Sequence, residues 1–233
     1  VIIMKGAFYQ GNKRFSIDEA EPQPPGPGEV RLKVAYSGVC GTDVHIYHGH
    51  MDHRTKIPHI IGHEMSGTIA EIGEGVAGFK VGDKVVVRPV VSCGRCPACQ
   101  AKHYNVCHQI NVLGVDSPGC FQESWTVPAQ TLHRIPDDID LIHAALIEPA
   151  AVAAHAVRYG QVTDKDYVVV IGAGPIGILV ALEAKIKGAR VLISEINPFR
   201  INLARELGME VVNPRESDLP KYVSQNTDAA GSI

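Results

Sequence analysis

The chain has 233 residues, 45% of them hydrophobic and 20% charged, with a formal net charge of −3. That length holds one large domain or two ordinary ones, and the balance is that of a globular protein. So small a charge gives no basic field for nucleic acid or an anionic membrane, and neither is expected as a partner.

The chain opens with "VIIMKGAFYQGNKRF", four apolar residues before a lysine. This is too short for the apolar core of a signal peptide, and no uninterrupted apolar run of ~18 residues follows. A cytoplasmic location is therefore expected, where thiols stay reduced and clustered cysteines bind metal more often than they pair. Residues 1–150 read as β-rich: "EVRLKVAYSGVC", "SGTIAEIGEGV" and "VGDKVVVRPVV" are short β-branched runs bounded by Gly, Pro and Asp. "PQPPGPGE" (22–29) reads as a surface turn before a strand.

The character changes near residue 143. "HAALIEPAAVAAHAVRYG" is alanine-rich and mostly helical, with Pro149 expected to interrupt or kink it. "DYVVVIG" predicts a strand, "GPIGILVALEAKIKG" a helix and "RVLISE" a second strand. "NPFRINLAREL" predicts a helix capped by Asn197 with Pro198 at its first position, and "MEVVN" a third strand. Such alternation makes βαβ units and a parallel sheet. The fold class expected is α/β with a β-rich domain over 1–150, followed over 151–233 by part of a doubly wound domain.

"VVVIGAGPIG" sets Gly172, Gly174 and Gly177 in G-x-G-x-x-G spacing between a strand and a helix, and Glu195 ends the next strand. Gly172 permits the tight turn, Gly174 lets a pyrophosphate approach the backbone, and Gly177 lets helix and strand pack closely. Glu195 would accept hydrogen bonds from the adenosine ribose and repel a 2′-phosphate, which favours NAD over NADP. The plainer alternative is a glycine turn between buried elements.

"SCGRCPACQAKHYNVC" places Cys93, Cys96, Cys99 and Cys107 in C-x2-C-x2-C-x7-C spacing. Four thiolates this close can close a tetrahedral shell around one zinc ion, which makes such a site structural. Disulfides would require an oxidising compartment. Chemistry must come from elsewhere. "GVCGTDVHIYHG" carries Cys40, Thr42 and His45, and "IIGHEMSG" carries His63 and Glu64.

With these motifs and the nucleotide fingerprint in this order, the chain resembles the zinc-dependent medium-chain alcohol dehydrogenases, nearest the sorbitol, butanediol and threonine dehydrogenase branch. The resemblance implies a GroES-like N-terminal domain, with its structural zinc lobe at 92–107, and a Rossmann domain. It implies two zinc ions per chain, NAD, a small-molecule alcohol or polyol substrate, and a homodimer or homotetramer. Cys40 and His63 are the implied catalytic zinc ligands, with Glu148 of "IEPAAVAAHAV" preferred as the third and Glu64 as an alternative or exchanging ligand. Thr42 would take the substrate hydroxyl proton and His45 relay it to solvent. Pro175, Ile176 and Arg200 would join the three glycines and Glu195 in holding the cofactor.

Of His48, His50, His53 and His59, at least three are expected at the surface or rim. Cys120 is read as a small apolar filler, and Tyr47 and Trp125 as packing residues or cleft lining. The family's dinucleotide domain has two halves, and the pattern here supplies the first, so an unpaired strand edge is expected. A non-catalytic zinc-stabilised module is the competing reading; a zinc-free reductase is disfavoured by Cys40, His63 and the cysteine lobe.

Overall fold

A computed structural model of the chain describes residues 3–227 and 231–233. They form two compact units, Val1–Glu148 and Pro149–Ile233, dividing two residues before the boundary expected from the sequence.

The first unit runs β1 (Met4–Tyr9), β2 (Phe15–Ala20), β3 (Glu29–Ser37), α1 (Gly41–Tyr47), β4 (His59–Ile60), β5 (Met65–Ile72), β6 (Lys84–Val87), β7 (Val90–Val91), α2 (Pro97–Gln100), β8 (Asn111–Val112), β9 (Ser124–Pro128), β10 (Leu132–Arg134) and α3 (Leu141–Ala144). The central sheet has five antiparallel strands in the order β10-β6-β5-β3-β9. Alternation along β3 points Val30 and Leu32 inward, where they meet Ile69, Val85 and Trp125 in the core. A second sheet has the order β2-β1-β4 and sets β4 directly ahead of Gly62 and His63, and β7 pairs β8 at the base of the cysteine lobe.

Trp125 and Cys120 are core residues: the indole Nε1 donates to Pro118 O at 2.8 Å, and Cys120 Sγ sits 3.0 Å from Ser37 Oγ. Tyr47 is partly exposed and stacks on Phe15, ring centroids 6.1 Å apart. His48, His50 and His53 are exposed and His59 is buried, the three-of-four division the sequence suggests.

The chain continues through α4 (Ile147–Tyr159), β11 (Tyr167–Ile171), α5 (Pro175–Ile186), β12 (Arg190–Ser194), α6 (Pro198–Glu206), β13 (Glu210–Val212) and α7 (Leu219–Asn226). Pro149 neither breaks nor kinks α4. It lies in the first turn, where its missing N–H has no intrahelical acceptor to lose, and the interruption falls earlier, between α3 and α4. Asn197 caps α6 by accepting the Arg200 amide, and Pro198 follows it.

Strands β11, β12 and β13 pair in parallel with Tyr167 opposite Arg190 and Leu192 opposite Glu210. Helices cover both faces. Ile178, Ala181 and Ala184 of α5 and Ala204 of α6 pack on Val168, Val170 and Ile193, while Leu219, Tyr222 and Val223 of α7 pack on Tyr167, Leu192 and Val212. The other edge of β11 is not bare: Val169 N donates to Ile233 O at 2.9 Å and Ile233 N to Tyr167 O at 3.1 Å.

Candidate metal centres and cofactor turn

Strand β3 ends at Ser37, and the chain turns through Gly38 and Val39 so that Cys40 caps α1. Strand β4 leads through Gly62, in a left-handed conformation at φ 95°, to His63 and Glu64 at the start of β5. These two entries bring ligand atoms of Cys40, His63 and Glu64 within 4.8 Å of one another. A hydrogen bond with His63 lowers the Cys40 thiol; burial opposes this, and the Thr42 amide and hydroxyl assist by donating to the sulfur. Burial works against charge on His63. The Cys40 hydrogen bond and the charges of Asp43, Cys40 and Glu148 outweigh it and raise the imidazole to about 8.

Glu148, in the first turn of α4, has its carboxyl raised by burial; the charge of His63 opposes this and that of Glu64 adds to it. It therefore faces the cluster, yet the three mutually close ligands are Cys40, His63 and Glu64. This differs from the set preferred on the sequence, where Glu148 comes before Glu64. The reason is local. Glu64 follows His63 directly, and Gly38 leaves room for its carboxylate: a Cβ at position 38 would lie 2.3 Å from Glu64 Oε2. His45 is exposed on α1, with its Nδ1 3.2 Å from His50 Nδ1.

Asp43 is a site residue absent from the sequence reading. It is 3% exposed, its Oδ2 accepts the Cys40 amide at 2.9 Å, and its Oδ1 faces His63 Nδ1 at 3.9 Å. Those last two atoms are buried without a hydrogen-bond partner. A carboxylate behind an imidazole orients it and raises its basicity as a metal ligand. The signal was available: an acid three residues after a helix-capping position reaches back to the cap amide.

In the lobe, Cys93 follows β7, Cys96 caps α2, Cys99 lies within α2, and Cys107 follows a 3-10 turn at Tyr104–Val106. Four sulfurs each ~2.3 Å from one ion would stand ~3.8 Å apart. The observed separations are 3.5 Å for Cys96 and Cys99, 3.9 Å for Cys96 and Cys107, and 4.0 Å for Cys93 and Cys99. All are far beyond the ~2.05 Å of a disulfide, and the six cysteines are free. Amides of Cys93 and Gln109 donate to Cys107 Sγ, and those of His108 and Cys99 lower the Cys96 thiol to about 6. This donor set fits a tetrahedral ion.

At the C-terminal end of β11 the turn takes Gly172 to φ 97°. A Cβ at Gly174 would meet nothing within 4 Å, leaving the backbone open to a ligand, whereas one at Gly177 would lie 2.0 Å from Gly172 O. Pro175 is the first residue of α5, and Ile176 beside it is exposed. Glu195 is buried at the end of β12. Its Oε2 accepts Ala173 N at 2.7 Å, and its Oε1 accepts Ile196 N and Asn197 N at 2.7 and 2.8 Å. The Asn197 and Ala173 amides hold the carboxyl below its ordinary range against burial, and Arg200, 3.9 Å away, adds to this.

Residues 26–137 match the alcohol dehydrogenase GroES-like domain. The chain is 52% identical over 229 residues to 2-dehydro-3-deoxy-L-galactonate 5-dehydrogenase of Pseudoalteromonas atlantica, covering 98% of this chain and 67% of the relative. It is 42% identical to L-threonine 3-dehydrogenase of Pyrococcus furiosus, covering 99% and 66%. The crystal structure of an Escherichia coli CFT073 alcohol dehydrogenase complexed with NADH superposes with a TM-score of 0.88 at 38% identity, covering 96% and 66%. The chain thus spans about two thirds of the length of the curated relatives it matches. With a GroES-like domain, a Rossmann-type sheet and this likeness over nearly all its length, the chain belongs to the zinc-dependent medium-chain alcohol dehydrogenase family.

Proposed function

We propose that this chain carries the metal centre and the first half of the cofactor fold of an NAD-dependent dehydrogenase. Its substrate is a secondary alcohol of a polyol, sugar derivative, diol or threonine-like molecule. The observation that carries the reading is the convergence of Cys40, His63 and Glu64 beside Thr42. Relatives that oxidise a sugar acid and threonine support the substrate class.

Cys40 and His63 would hold the catalytic zinc with Glu64 and Glu148 as the two carboxylates available to it, and Cys93, Cys96, Cys99 and Cys107 would hold a second. Bound at the first site, zinc supplies Lewis acidity that lowers the pKa of a substrate hydroxyl. The Asp43 carboxylate lies behind the His63 imidazole at 3.9 Å, where its charge favours the ring, and by accepting the Cys40 amide it holds that residue at the helix start. Thr42 stands two residues on, where its Oγ would take the hydroxyl proton as its own proton leaves toward exposed His45 and on to water. Gly174 leaves the turn open for the pyrophosphate, and Glu195 presents its carboxylate to the ribose, which selects NAD. The assembly we infer is a cytoplasmic homodimer or homotetramer with two zinc ions per chain.

The test is NADH formation by zinc-loaded protein on a panel of polyols, diols and threonine, with Cys40→Ser as comparison. Turnover lost in Cys40→Ser with an unchanged circular dichroism spectrum is the expected result. Normal turnover in that variant refutes the assignment.

A further inference from the structure

We propose that His45 and His50 form a third metal site, facing solvent, that takes a divalent transition-metal ion of the zinc type through their two Nδ1 atoms. The segment from His45 to His53 carries four of the chain's 11 histidines. Neither His45 nor His50 belongs to the Cys40, His63 and Glu64 cluster or to the cysteine lobe.

The geometry comes from the backbone. Helix α1 ends in a left-handed glycine, Gly49 at φ 81°, with Gly49 N donating to Ile46 O at 2.8 Å and His50 N to His45 O at 3.0 Å. That pair of bonds is the Schellman closure of a helix, and it ties the residue beyond the glycine to the last turn. Here the two tied residues are both histidines. Their rings lie 5.5 Å apart at 40°, and the Nδ1 atoms are 3.2 Å apart.

Two imidazole nitrogens at ~2.0–2.1 Å from a tetrahedral ion would be ~3.3 Å apart. The spacing of the pair is thus already that of a chelate, and an ion would displace the proton the two nitrogens share, where flexible surface histidines would first have to be brought together. His48 stacks on the outer face of His50, centroids 5.9 Å apart at 25°, which restrains that ring further. The Asp52 carboxylate accepts the Tyr9 hydroxyl through Oδ1 at 2.9 Å, and the two histidines alone are assigned as ligands.

An ion held on His45 Nδ1 ties up one of the two ring nitrogens through which an imidazole takes up and releases a proton. Excess zinc therefore inhibits turnover. This consequence rests on the dehydrogenase reading, whereas binding does not.

The experiment is calorimetric titration with Zn2+ of protein already brought to constant zinc content, as read by elemental mass spectrometry. One further site is expected, weakened at least tenfold in His50→Gln and in His45→Gln and unchanged in His53→Gln. Gly49→Ala, which strains the closure, weakens it while leaving both ligands in place. No uptake beyond the constant content, or parent-like binding by His50→Gln, overturns the proposal. Turnover is then followed under the same added zinc, each protein relative to its own uninhibited rate, with His50→Gln expected to resist. Binding that depends on His50 with turnover insensitive to zinc keeps the site and removes His45 from the relay. Absence of turnover under all conditions counts against the dehydrogenase reading, and the calorimetry still decides the site.

Discussion

Gly174 and Gly177 stand three residues apart in one turn, yet alanine should act on them through different physics. At position 177 the new methyl would lie 2.0 Å from Gly172 O and 3.0 Å from its carbonyl carbon. Both groups belong to backbone, so no side chain can swing away. The start of α5 must withdraw from the turn by roughly an ångström, and overpacking of this kind costs ~1–3 kcal/mol. The affected unit is Pro149–Ile233. For a domain of that size each kcal/mol moves Tm by ~4–8 °C. Gly177→Ala should therefore lower the melting temperature of this unit by at least ~4 °C. It should also weaken NADH binding, because the α5 amides shift with the helix.

At position 174 the methyl meets no atom within 4 Å, and φ of −71° suits alanine. Stability should stay within ~0.5 kcal/mol, while NADH affinity falls because the methyl fills the approach of the pyrophosphate. Thermal melts followed by circular dichroism and NADH fluorescence titrations on both variants provide the comparison. Equal melting losses in the two variants, or unchanged NADH affinity in Gly174→Ala, would refute the reasoning.

Three further expectations concern the metal centres and Glu195. In metal-free protein the His63 imidazole titrates at about 8. Because zinc must displace that proton and any proton on the Cys40 thiol, affinity at this site should rise by at least about tenfold per pH unit below that value. Zinc competition with a chelator at several pH values measures this, and Cys40→Ser should move the His63 titration down toward its ordinary 6.5. Cys96→Ser opens the closed lobe and should cost more metal affinity than the ~10–100-fold typical of losing an outer partner, together with a lower melting temperature; zinc retained at parent affinity would count against the four-sulfur shell. Glu195→Ala strips three backbone amides of their acceptor, a loss of ~1–3 kcal/mol for each one left buried and unpaired. Melting temperature and NAD affinity should fall together and the preference over NADP narrow, so an unchanged preference would remove Glu195 from the ribose.

The Rossmann half was the most legible part of the chain because every signal agreed there. The runs of "VVVIG" and "RVLIS", the Asn197 cap and the Pro198 start each pointed to the element the fold contains. The N-terminal hairpin was legible only as general β-richness. β2, "FSIDEA", is largely exposed and shows no buried alternation to read, and its turn relies on Asn12 and Lys13 in left-handed conformations that few sequences announce. The cysteine lobe was visible as spacing, and Cys40 and His63 through the family that their motifs resemble. That Glu64 lies at close range to Cys40 and His63 was not, because it depends on the room that Gly38, at the end of another strand, leaves for its carboxylate. Asp43 was overlooked for a related reason: its carboxylate divides between a cap amide and an imidazole that arrives from another strand.

The small pairing of Ile233 with β11 has a consequence for where a ligand can sit. β12 lies on one side of β11, reached through α5 on one face, and Ile233 lies on the other, reached after α7 on the opposite face. Beside β11 the sheet is thus flanked by segments that arrive over opposite faces, the arrangement that marks a reversal of strand order. In open α/β sheets such a topological switch point is where ligands bind. Gly172 is the residue that leaves β11 at that point. A dinucleotide seated at this end of β11 would owe its position to the route of the chain, and the glycines would decide only how closely it approaches.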